Sequence, residues 1–126
     1  MRRSSIFAVA ALLALTAPAF ADELSDAKDL IAGAKLATET DMLMWCGAAF
    51  SIGTQMETDD AAKKTDEDLA STIFGKAAPL MLSDGVAPAD LPKISEAYVV
   101  VAKSELMDHV ADPEHSQEEC TAAAKA

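Results

Sequence analysis

The chain has 126 residues, with 21 acidic side chains against 10 basic ones, a net charge of −11 and two cysteines. Both arginines, Arg2 and Arg3, stand at the start, so the part after residue 21 has eight lysines as its only permanent cations and a side-chain charge of −13. Lacking guanidinium forks and clustered cations, that part is not suited to nucleic acid, anionic membrane surfaces or phosphate substrates, and it fits a cationic partner or simple solubility.

Residues 1–21 read as a secretory leader: Arg2 and Arg3, an apolar run from Ile6 to Leu15, and Ala19-Phe20-Ala21 as a small-x-small exit. The apolar run is too short for a membrane span, and no cysteine near the exit offers a lipid anchor. The expectation is a periplasmic or secreted chain of residues 22–126, forming one domain. Cys46 and Cys120 would then meet an oxidising compartment and pair. Closing a loop of about 75 residues is worth roughly 4 kcal/mol in the chain-entropy model, comparable with the whole stability of a small domain.

From Leu24 to Ala37, the apolar positions Leu24, Ala27, Leu30, Ile31, Ala34 and Ala37 repeat with helical spacing. Thr38, Thr40 and Asp41 could end this helix and cap the next, or lie inside one long helix. Met42 to Phe50 is entirely apolar or glycine, and Ile52, Gly53 and Met56 extend the pattern, which marks the buried segment. Glu57 to Asp68 reads as a solvated loop, with Thr65 and Asp68 approximating a capping box. A third helix is expected from about Asp66 to Leu82, its inner face formed by Leu69, Ile73, Ala77, Leu80 and Met81, with a kink or break between Gly75 and Pro79.

Ser83-Asp84-Gly85 closes that element, and Pro88-Ala89-Asp90 opens the next. The inward set from Leu91 is Ile94, Ala97, Tyr98, Val101, Ala102, Leu106 and Val110, ending at Pro113. Val99-Val100-Val101 favours strand by propensity, but its flanks favour helix. Ser116-Gln117-Glu118-Glu119 is a capping box for a short last helix carrying Cys120. The sum is an all-α bundle of four to five helices stapled by one disulfide, with no sheet.

Chemistry-bearing patterns are sparse. His109 and His115, among Asp108, Asp112, Glu114 and Glu118, are the candidate metal donors, but a separation of six with Pro113 between matches no usual ligand spacing. Met42, Met44, Cys46, Met56 and Met81 could suggest cuprous ion, yet Met42 and Met44 diverge by about 200° on a helix and read as core. There is no C-x-x-C, nucleophile elbow, phosphate loop, dinucleotide fingerprint or EF-hand, so neither a cofactor nor catalysis is expected.

The remaining expectation is a non-catalytic protein acting on a protein partner in the cell envelope, with Trp45, Phe50, Phe74 and Tyr98 as possible anchors or core. One alternative is an acid-activated chaperone, whose charge would swing towards +10 in acid, from eight lysines and two histidines. That small, acidic, helical, single-disulfide plan is similar to the enteric acid-stress chaperones, though no motif is shared. The other alternative is metal or small-ligand binding in the bundle.

Overall fold

A computed structural model describes residues 21–126; all of the leader but Ala21 lies outside the described residues. The backbone is helical over 21–34 (α1), Thr38–Met56 (α2), Asp60–Ser83 (α3), Leu91–Leu106 (α4) and Gln117–Lys125 (α5), with a 3-10 turn at Pro88–Asp90 leading into α4. Among the described residues there is no strand, as the apolar periodicity implies. No described helix is long and apolar enough to cross a membrane.

The buried segment lies at the centre. On α2, Leu43 to Ala48, Phe50 and Ile52 are buried. They meet Ala70, Ile73, Ala77 and Met81 of α3, Ile94, Tyr98 and Ala102 of α4, and Cys120 and Ala124 of α5. Fully enclosed aliphatic side chains such as Ile52 and Ile73 each contribute about 1.5–3 kcal/mol. Gly47 allows α2 and α3 to approach closely, since a Cβ there would fall 2.8 Å from Phe74 Cε1. Cys46 and Cys120 are joined, with Cα atoms 5.2 Å apart, which ties α5 to the middle of α2. Helix α1 lies on α4 through Ala27, Ala97 and Val101.

Several sequence expectations need correction. The first helix ends before Lys35, which adopts a left-handed φ of 51°, so α1 and α2 are separate. Asp84 of the α3 terminus accepts from the Ala37 N–H at 3.1 Å and holds this break. Leu30 faces outward because only a narrow stripe around Ala27 meets α4.

The α3 helix starts six residues earlier than expected. Asp59, not Thr65, is its cap and accepts from the Ala62 N–H at 3.0 Å. Thr65 lies inside the helix and donates to the Ala61 carbonyl. Helical backbone continues through Pro79 without a break. The lost bond would have ended on Gly75, and both residues are exposed, so water can serve the freed carbonyl. Finally, α4 stops at Leu106 rather than at Pro113, and Val110 is exposed. His109 takes a left-handed φ of 54° just past the helix, and Val110 N–H returns to the Ser104 carbonyl.

Candidate functional site

The short α5 depends on its cap and its bridge. Ser116 Oγ accepts from the Glu119 N–H at 3.1 Å, as the capping pattern implies. The Glu119 carboxylate does not reach back to Ser116; it takes His115 Nδ1 at 3.1 Å. A carboxylate can only accept here, so Nδ1 is the nitrogen that donates, and Nε2 is the one left for another partner. Cap and disulfide together hold Glu114 and His115 against the first turns of α2.

There they meet Asp41. One donor atom from each of Asp41, Glu114 and His115 lies within 4.8 Å of the others. Buried Tyr98 fixes the Asp41 side chain by donating its O–H to Oδ1 at 2.5 Å. Burial first, then that bond and the Asp41 charge, push the Tyr98 phenol well above its ordinary value. Trp45, one turn beyond Asp41, sets its ring edge-on to His115 at a centroid distance of 5.6 Å. Its Nε1–H donates to Glu105 Oε2 at 3.1 Å, which gives this buried carboxylate a partner.

Negative charge is concentrated around this point. Glu114 is exposed as a residue, yet partial burial of its carboxyl raises its pKa, and the Glu105 and Asp41 charges raise it further. His115 and Lys28 oppose that shift. Among the described residues, no lysine forms an ion pair with Asp41, Glu105 or Glu114; the only lysine pair is Lys64 with Asp68, both exposed.

Beside the cluster opens a cleft of about 600 Å³. Trp45, Ala49, Phe50, Met56, Leu106 and Pro113 give it apolar walls, and the buried disulfide passes beneath at Cys120. Glu57, Asp66, Glu114, His115 and Gln117 supply polar groups, and among the described residues no lysine lines it. Asp66, expected on a solvated run, turns inward towards α2. Gly53 makes room for it, since a Cβ there would lie 2.9 Å from Asp66 Oδ2. Burial, and secondarily the Glu57 charge, raise the Asp66 pKa.

Of the two candidate histidines, for which the sequence spacing predicts no metal site, His115 lies in this cluster and His109 is exposed in the preceding loop. Sequence reasoning gives Asp41 and Asp66 only helix-end roles and passes over Glu105. One signal was available: Asp41 and His115 each stand five residues before a cysteine of the bridge. The copper reading loses its thiolate, because Cys46 is in the disulfide, and Met44 is fully enclosed in the core. Compared with known family models, curated proteins and solved structures, the chain matches none.

Proposed function

We propose that this chain, exported and relieved of residues 1–21, is a non-catalytic binding protein of the cell envelope. Its cleft would take a segment of a partner protein that carries a basic side chain next to an apolar one. The observation behind this reading is the composition of the cleft: aromatic and aliphatic walls, a carboxylate rim from Glu57, Asp66 and Glu114, and no lysine. Apolar walls would supply most of the affinity, while the rim carboxylates select a cation and speed its approach. The leader-like start and the disulfide support export.

Site-specific photo-cross-linking in the cell envelope tests this. A cross-linker replacing Met56, which is 56% exposed on the cleft wall, should capture one salt-sensitive partner at pH 7. A cross-linker at Leu82, exposed at the far end of α3, should not. Equal capture at both positions, or none at either, would remove the reading. Many clients captured only near pH 3 would favour the acid-activated chaperone instead.

A further inference from the structure

Asp41 does not line the cleft, and its convergence with Glu114 and His115 needs its own account. Two carboxylates and one imidazole are drawn together from the start of α2 and the segment before α5. We propose that Asp41, Glu114 and His115 form a binding site for a divalent transition-metal ion of the zinc type.

Distance supports the assignment. Oxygen and nitrogen donors at about 2.1 Å from a tetrahedral ion lie roughly 3.4 Å apart, so donors within 4.8 Å need only small side-chain rotations to close on one. Orientation supports it as well. Tyr98 O–H holds Asp41, and Glu119 holds His115 Nδ1, so two of the three ligands already have an outer hydrogen bond that aims them. With Nδ1 engaged by Glu119, Nε2 is the ring nitrogen left to ligate, as the neutral imidazole does in metal sites.

Charge is the third argument. The two ligand carboxylates and the nearby Glu105 have no lysine at ion-pair distance among the described residues, and a dication supplies the missing positive charge. The imidazole separates this donor set from the all-oxygen cages of calcium and magnesium. Three protein ligands leave at least one coordination position, and the adjoining cleft, which Glu114 and His115 also line, gives a path to it. The site does not depend on what fills the cleft.

The test is calorimetric titration of Zn²⁺ into the exported, purified protein after treatment with a chelator. One equivalent should bind per chain and should persist in excess Mg²⁺ or Ca²⁺. Both His115→Ala and Glu114→Gln should weaken binding by about tenfold or more, while His109→Ala leaves it unchanged. Because Glu114→Gln keeps side-chain shape on an exposed residue, it answers even if His115→Ala misfolds, and far-UV circular dichroism checks both. No saturable binding, displacement by Mg²⁺ or Ca²⁺, or equal loss in His109→Ala would overturn the proposal. A negative result here leaves the cross-linking at Met56 unaffected, so the two readings fail separately.

Discussion

Reducing the Cys46–Cys120 bond should destabilise the fold by up to about 4 kcal/mol, because it frees a loop closed across 74 residues in the unfolded chain. Both sulfurs are buried, so local repacking as they part adds to the lost constraint. The effect should be felt first in α5. At nine residues that helix is too short to persist alone, since isolated helices below about 12–15 residues are marginal in water.

Apart from the bridge, α5 is held chiefly by the Ala123 and Ala124 methyls and by Lys76 Nζ, which donates to their carbonyls at 3.3 and 3.0 Å. Each buried methyl gives about 0.8 kcal/mol, little against the entropy of ordering nine residues. Parallel urea titrations of oxidised and reduced protein would measure the global loss, and amide exchange would locate it. In the reduced protein, α5 amides should lose most of their protection while α2 and α3 keep theirs. A global change under about 1 kcal/mol, the scale of an ordinary substitution, with α5 still protected, would refute this account.

Tyr98→Phe should cost about 1.5–3 kcal/mol in the same titration, since it leaves the Asp41 carboxylate without its buried donor. Glu105→Gln should be nearly neutral because an amide oxygen still accepts from Trp45 Nε1. By contrast, Glu105→Ala should cost about 1–3 kcal/mol by stranding a buried N–H. For Asp66, burial and the Glu57 charge hold the proton more tightly in the folded state than in the unfolded one. Its contribution to stability is therefore present in full below the unfolded value of about 3.9 and is lost as pH rises through the raised folded value. Asp66→Asn should then gain on the natural chain between pH 3 and pH 7, and equal melting-temperature differences at both would contradict the sign.

Where burial and backbone periodicity decide the structure, local sequence was enough. Met42–Phe50, the Ile94–Ala102 stripe and the Ser116 cap could be read from spacing and residue type alone, because each depends on neighbours within a few positions. The α3 start was hidden because Asp59-Asp60 and Lys63-Lys64 look like a solvated loop. A capping aspartate followed by alanines and lysines is nevertheless a good helix beginning. Continuing the helical period past Leu106 puts Val110 inward, whereas the backbone has already turned by that point. The cluster was least legible, since Asp41 and Glu114 meet only through tertiary packing.

The candidate site is divided between two parts of the molecule with different stabilities. Asp41, Trp45, Tyr98 and Glu105 sit on α2 and α4, which are long and well packed, α2 enclosed on all sides at its middle and α4 buried along one face. Glu114, His115, Ser116 and Gln117 sit on the strap that the disulfide ties down. An occupant that touches both halves, whether an ion on Asp41 and His115 or a peptide between Trp45 and Gln117, binds only the closed arrangement. It therefore favours a docked α5, and a docked α5 raises its affinity by the same factor. The disulfide thus bears on binding as well as stability: by keeping the strap closed beforehand, it spares the occupant the free energy of ordering it. Trp45 touches His115, bonds Glu105 and lines the cleft, and as the only tryptophan in the chain it stands where each of these events would be felt.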